Sequence, residues 1–362
     1  MKGVIDIDYS QFDKLCSLKL IKNDCDTYLK LFETNRDAVL SMCILPYLAL
    51  MCVEAQNFVG TDFFDEPYNK IFHDMRNSLK RFMDRYGKTT KLFGGIDISQ
   101  NNYFIQMLRF KVLGKINVHL NLGIYLDESL NIIGNTHQLA SLFDFKKIPG
   151  NDDEEKMMNI GYQLGSVISS ISNGLEQHLP TESIGILNEM HSVYYIDINT
   201  NKKDAFWNNN YSKDKRLYFL HLISFIGFIN NTLSKILPQE NLWLLRLRYI
   251  ACYYCICGLN KLATKVDATV GEEIRALIDG SADCSDSRFR GCMMHYSFTD
   301  KQGFCIDEQY FDLNIPLYGL IETCFNGLTF DEYNNKLISL CTDIETLLKK
   351  QFNICTERVK KL

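Results

Sequence analysis

The chain lacks any uninterrupted run of the roughly 20 apolar residues that a membrane-spanning helix needs. Its two longest stretches without a charged side chain are Ala38 to Val53 and Leu217 to Ser234. The first contains Pro46 and the second contains His221, Asn230 and Asn231, so both read as buried helices, and no membrane span is expected. A basic excess is also missing. A net charge of -5 excludes a surface coated for duplex DNA and confines any nucleic-acid contact to one face. The opening "MKGVIDIDYSQFDKLC" has acids where a signal peptide needs an apolar core. The expectation is a cytoplasmic protein whose 13 cysteines are reduced thiols.

Two chemistries fall with what their motifs lack. "YGKTTKLFGG" contains Gly-Lys-Thr, but a phosphate loop needs a further glycine five positions before Gly87, and Phe82 stands there. "CYYCIC" supplies Cys252, Cys255 and Cys257, with no second pair at the spacing of a tetrahedral zinc site. Neither a metal nor a cofactor is expected.

What is present is ordinary globular material: 46% hydrophobic and 23% charged residues over 362 positions, enough for two cores. The fold class expected is mainly α with a minor β part. Residues 1 to 205 read as a mixed helix and strand region, and residues 211 to 362 as a helical bundle. In the first part, residues 10 to 92 are mainly helical, interrupted at Pro46, with an amphipathic helix ending at Gly87. "GKINVHLNLGIYL" alternates Ile116, Val118, Leu120 and Leu122 with polar residues, which predicts a half-buried strand. With "YFIQMLRFKVL" before it, a hairpin is expected, and "SVYYIDINTNKKDAFW" reads as another, turning at Asn199 to Lys203. Acidic residues 151 to 155 predict the first turn of a helix that stops before Pro180. From Tyr211 on, the pattern predicts helices over 213–236, 239–263, 269–279, 286–296, 316–327 and 330–352, with no strand. "KKDAFWNNNYSKDK" is the expected domain boundary.

One segment combines cations with aromatics. "RNSLKRFMDRYGKTTK" carries Arg76, Lys80, Arg81, Arg85, Lys88 and Lys91 against the single acid Asp84. Cations neutralise phosphates and aromatic faces stack on unpaired bases, so Arg76, Lys80, Arg81, Arg85 and Lys88 are candidate contacts to single-stranded RNA. The competing reading is a solvated helix face. His119, on its strand, and His221, in an apolar helix, show no partner in the sequence, and Asp127 and Glu128 sit at a turn without a second acid to work with.

The densest chemistry lies in "DCSDSRFRGCMMHYSF". At about 100° per residue, Phe289, Met293 and Tyr296 share a core stripe. Arg290 and His295, five apart, fall about 140° from each other, while Arg288 and His295, seven apart, lie within about 20° but two turns apart. A site that joins arginine to histidine therefore demands a break at Gly291 or a second chain.

"FRGCMMHY" resembles the arginine, four to six residues, histidine signature of the HEPN superfamily, a spacing that both Arg290 and Arg288 satisfy. The resemblance covers the last 150 residues or so. It implies a helical domain that cleaves RNA without metal at a homodimer interface, in a family often found in defence and toxin systems. His295 would then serve acid/base chemistry, Arg290 would stabilise charge on the phosphate with Arg288 as substitute or second contact, and Tyr296 would support them. Gly291 stands where the family commonly has a polar residue, and Tyr296 stands one place before the family's tyrosine. Two other classes stay open: a noncatalytic helical dimerisation or RNA-binding module, and a membrane-associated regulator. "HDMRNSLKRF" has an Arg76-Asn77 pair with no histidine at the matching distance downstream.

Overall fold

The computed structural model describes residues 12–35, 37–110, 120–142, 151–176, 179, 185–187 and 192–362. The protein is mainly helical with a small antiparallel sheet. In chain order its elements are α1 (Phe12–Thr34), α2 (Ala38–Val59), α3 (Tyr68–Leu79), α4 (Tyr86–Phe110), β1 (Leu122–Leu126), β2 (Ile132–Asn135), α5 (Thr136–Leu142), α6 (Asn151–Glu176) and β3 (Tyr194–Ile198). Then follow α7 (Lys213–Phe228), α8 (Ser234–Ile236), α9 (Leu242–Leu262), α10 (Ala268–Gly280), α11 (Ser287–His295), β4 (Thr299–Asp300), β5 (Gly303–Phe304), α12 (Leu320–Cys324), α13 (Phe330–Lys349) and β6 (Lys360–Lys361).

Local chemistry accounts for most of the helix ends. Asp37 caps α2 by accepting from the amides of Val39 and Leu40 at 2.8 and 3.0 Å, and Gly60, at φ 71°, closes it in the left-handed conformation. Between those caps α2 runs straight through Pro46, where the sequence predicts an interruption. The missing N–H and the ring clash destabilise the helix there, and the packing of the buried apolar residues on either side of Pro46 offsets that cost. A capping box of Thr329 and Glu332 starts α13. A π-turn at Ile229–Leu233 joins α7 to α8, and its Asn230 and Asn231 both donate to the Glu345 carboxylate, at 2.9 and 2.6 Å.

The sheet has the order β2-β1-β3-β6, all antiparallel. Its sequence-adjacent pair is β1 and β2, joined by a turn in which Asp127 accepts from the Asn131 amide at 2.7 Å. The expected hairpin between "YFIQMLRFKVL" and the following strand is corrected, because residues 103–110 continue α4. A short apolar run fits a buried helix as well as a strand, and here the preceding turns of α4 carry it on. Residues 116 to 119 of the expected strand, His119 among them, lie outside the described residues, and Leu120 is exposed. The second expected hairpin is corrected too. β3 does turn at Asn199, but its partners are β1 and β6, and Trp207 bridges to Phe352 instead of returning beside β3.

Gly87 does not end a helix. α3 stops at Leu79, a 3-10 turn covers Lys80–Met83, and Gly87 lies in the first turn of α4. Beyond Tyr211 most helices fall close to their expected places, but the one expected over 316–327 is corrected: Leu317 and Tyr318 are left-handed and α12 spans only Leu320–Cys324. The expectation of no strand is corrected by the two-residue β4, β5 and β6, which have no signature in the sequence.

The apolar core is continuous from Cys16 to Phe352. The segment read as a boundary is packed into it: Phe206 and Trp207 are buried against Phe352, with ring centroids 5.2 and 5.9 Å away. α7 crosses β2 so closely that a Cβ on Gly227 would sit 2.1 Å from the carbonyl oxygen of Ile132. Gly227→Ala is therefore expected to lower stability by about 1–3 kcal/mol, since backbone cannot yield as a flexible side chain does. Gly161, in α6, supplies the control, because an added methyl there would meet nothing within 4 Å. Gly161→Ala should leave the urea midpoint unchanged or raise it, and equal losses at both positions would refute the close-approach argument.

Candidate functional site

α11 is short and well capped. The Asp286 carboxylate accepts from the amides of Arg288 and Phe289 at 2.7 and 3.0 Å, and Tyr296, at φ 56°, ends the helix in the left-handed conformation. The helix runs through Gly291 without a break, so the two arginines and the histidine keep the angular separation of a regular helix. Each then meets different neighbours. Arg290 donates to the Tyr253 hydroxyl at 3.0 Å and lies 5.7 Å from the centre of that ring. Arg288 lies near Asp286, at 3.7 Å, and reaches the Thr323 carbonyl at 3.5 Å.

His295 instead meets Glu54, 241 positions earlier. Its Nδ1 lies 2.8 Å from Glu54 Oε2. The other carboxylate oxygen accepts from Arg76, whose Nε is at 2.7 Å and whose Nη2 makes a second contact. Arg76 Nη1 also donates to Asn77 Oδ1 at 3.2 Å. Arg76, which has no histidine at the matching distance downstream, thus shares a carboxylate with the histidine of the other half.

Burial differs along this row. The His295 side chain is 45% exposed and that of Glu54 only 5%. Burial works against the charge on Glu54, but the hydrogen bond to His295 and the guanidinium of Arg76 outweigh it and hold the carboxyl below its usual range. An ionised carboxylate on Nδ1 favours the tautomer that carries its proton there, leaving Nε2 as a free base toward solvent.

The remaining basic candidates divide. Lys80, one turn after Arg76, is half-buried, and burial together with Arg76 lowers its pKa. Arg81 is turned inward, with both terminal nitrogens bonded to Ser141, at 2.6 Å for the Ser141 carbonyl, and burial lowers its pKa to about 10. Arg85 is exposed, and Lys88 pairs with Asp84 at 2.8 Å on an exposed face. The Gly-Lys-Thr motif lies on α4, where Thr89 donates to the Arg81 carbonyl at 2.7 Å. Lys261 adds a cation that sequence reasoning passed over, donating to the Phe82 carbonyl one helical turn beyond Cys257.

Tyr296 belongs to a different cluster, wholly buried. Its hydroxyl donates to Asp24 Oδ2 at 2.8 Å, and the Arg246 guanidinium lies 3.7 Å from its ring centre while pairing with the same carboxylate. Burial works against the charge of Arg246, but the tyrosine and carboxylate beside it raise its pKa. Arg246 Nε also donates to the Met293 carbonyl at 2.5 Å, so this cluster clamps the last turn of α11, directly behind His295.

Sequence reading missed Glu54, Asp24 and Arg246. Glu54 had a signal, as the lone charge of an apolar helix, where an ion must find a partner, and Arg246 a weaker one beside Arg248 in α9; Asp24, among the other charges of α1, had none.

Two histidines away from this surface have stability consequences. His137 is buried, with Nε2 3.1 Å from the Asn121 carbonyl, and His221 is buried with its ring stacked 3.7 Å from Phe93. Burial lowers the pKa of both, further for His221, where His137 and Arg81 add to it. Below about pH 6.5 the unfolded chain takes up protons at these positions that the folded chain refuses. Stability should therefore fall with decreasing pH, by up to about 1.4 kcal/mol per unit from each histidine, until the folded values are reached. Urea titrations from pH 7.5 to 5 test this: His221→Phe should flatten the slope, and an unchanged slope would count against it.

All 13 cysteines are free, and Cys252 and Cys255 are buried in α9. Among the described residues no group of three His, Cys, Asp or Glu side chains is placed to hold a metal. Three helical segments are long and apolar enough to cross a membrane by length and composition: Ala38–Val59, Lys213–Ile236 and Leu242–Leu262. The sequence runs judged slightly too short are extended by their flanks, and the third was hidden by Arg246 and Arg248. Most of each is buried within the protein. Comparison of the chain with protein-family models, curated proteins and solved structures finds no match to any of them.

Proposed function

We propose that the protein is a metal-independent RNA endonuclease of HEPN type, with His295 as the acid/base group. The observation that carries this reading is the His295–Glu54–Arg76 row, in which a buried carboxylate orients an exposed imidazole at 2.8 Å. Nε2 would take the proton of a ribose 2′-hydroxyl as it attacks the neighbouring phosphorus, or return one to the leaving 5′-oxygen. Negative charge growing on the phosphate would be met by Arg76 and Lys80 of the same copy and by Arg290 of a second copy. Tyr253, under Arg290, offers a ring face for an unpaired base.

Because α11 is unbroken at Gly291, a site that unites Arg290 or Arg288 with His295 takes a second copy of the chain, and a homodimer is part of the reading. Cytoplasmic location, a role in a defence or toxin system, and single-stranded RNA as partner are part of it as well. The test is incubation of purified protein with labelled single-stranded RNAs in EDTA. Cleavage by the wild type, absent from a parallel His295→Ala preparation, is the expected result. A dimer that binds RNA and cuts none of several sequences would replace this reading with a noncatalytic interaction module.

The three apolar helices favour a second reading, membrane association. Their burial within the protein, and the ion pairs of Glu54 and Arg246 on two of them, weigh against spanning. Flotation with liposomes decides: co-migration with vesicles supports the second reading.

A further inference from the structure

The far side of α3 from Arg76 lines a cavity of about 960 Å³ between α3, α4, α5 and α6. Its wall is mixed. Leu92, Ile96, Leu142 and Ile160 provide apolar surface, Asp74 and Asp84 bring negative charge, and Lys88 and Lys91 bring positive charge; Lys88 pairs with Asp84 at 2.8 Å, which leaves Lys91, at an exposed position, as the cation for a ligand. The cavity shares Ser78, Arg81, Ser141 and Leu142 with a small niche of about 30 Å³, also lined by Gln138 and His221.

Two polar atoms lining that niche lack a partner. His221 Nε2 and Gln138 Oε1 are both buried without a hydrogen bond, although an unsatisfied buried polar atom is ordinarily destabilising. The rest of both residues is fixed. His221 is held by its stack on Phe93, and the Gln138 backbone amide donates to Asn135 Oδ1 at 2.8 Å. Arg81 beside them excludes a cation, and burial keeps the imidazole neutral. With the imidazole proton on Nδ1, the group that satisfies both atoms is a small neutral donor with two hydrogens, one for the Gln138 oxygen and one for the imidazole nitrogen.

We infer that the cavity binds a flat, amino-substituted aromatic anion, its amino group in the niche against Gln138 and His221, its ring on the apolar wall and its negative group toward Lys91. This site is separate from the ribonuclease reading and is read by binding alone. An aromatic amine fits because it is uncharged at neutral pH, whereas an alkyl ammonium would meet Arg81 as a like charge.

The smallest probe with these parts is 4-aminobenzoate, with benzoate lacking the donor and aniline lacking the anion. Ligand-observed NMR and isothermal titration on the full chain should give 4-aminobenzoate an affinity about tenfold above either control, the equivalent of one net hydrogen bond. His221→Phe keeps an aromatic stack on Phe93 and should erase the preference over benzoate. Lys91→Glu, at an exposed position that leaves folding untouched, should erase the preference over aniline. Equal binding of all three probes, no binding at millimolar concentration, or unchanged affinities in both variants would overturn the inference. The niche would in that case hold only a water, for which its volume suffices.

Discussion

Asp24→Ala is expected to destabilise the protein by roughly 3–5 kcal/mol, the usual effect of removing one partner from a buried ion pair. Arg246 is almost completely buried on α9, and Asp24 is the carboxylate that meets it. Without Asp24, a guanidinium would stay in the core beside the Tyr296 ring and the Met293 carbonyl, neither of which carries a balancing charge. The Tyr296 hydroxyl would lose its acceptor at the same time. The double variant Asp24→Leu with Arg246→Met should recover most of the loss, because two apolar side chains need no partner. Urea denaturation of the three proteins measures this. A single-variant loss under about 1 kcal/mol would mean that Asp24 and Arg246 do not form a buried ion pair.

How far the sequence could be read follows from which signals are local. Helix boundaries beyond Tyr211 were legible where Pro238 and Gly280 punctuate them and the apolar periods are long, but not at Pro316 and Gly327, since Leu317 and Tyr318 are left-handed and α12 spans only Leu320–Cys324. The α4 extension over residues 103–110 was not, since a short, mostly apolar run with only Gln106 and Arg109 to break it carries too little period to tell helix from strand. The pairing of β3 with β6 at the far end of the chain leaves no trace in either segment. The site divides the same way. His295 was found by its own motif, and the 140° argument correctly separated it from Arg290, because helix geometry is fixed by spacing. Its partner was not found, because Glu54 lies 241 residues away and only the packing of α2 against α11 joins them. A rule would have pointed there: a carboxylate alone in "LALMCVEAQNF" is too costly to bury unpaired, and Arg76, on the next helix, was already in view.

Glu54→Gln is expected to cut RNA cleavage by about 10²–10⁴-fold while the protein stays folded. The substitution keeps the shape of the side chain and removes its charge. An amide can present either its oxygen or its NH2 to His295 Nδ1, and the NH2 would favour the tautomer with the proton on Nε2, where it blocks base catalysis. Arg76 would meanwhile lose the charge it pairs with and no longer be held beside the imidazole. The change also separates a chemical role from a merely structural one. Glu54 is held ionised by His295 and Arg76, so its stabilising contribution is present above the unfolded carboxyl pKa and is lost as pH falls through the lower folded value. A structural role alone predicts that Gln lowers stability at neutral pH and leaves the pH profile of any residual cleavage unchanged. A role in orienting His295 predicts that cleavage at neutral pH falls by far more than any loss of folded protein accounts for. Cleavage by Glu54→Gln at the wild-type rate, with the same profile, would remove Glu54 from the chemistry and leave the His295 row as a surface ion pair.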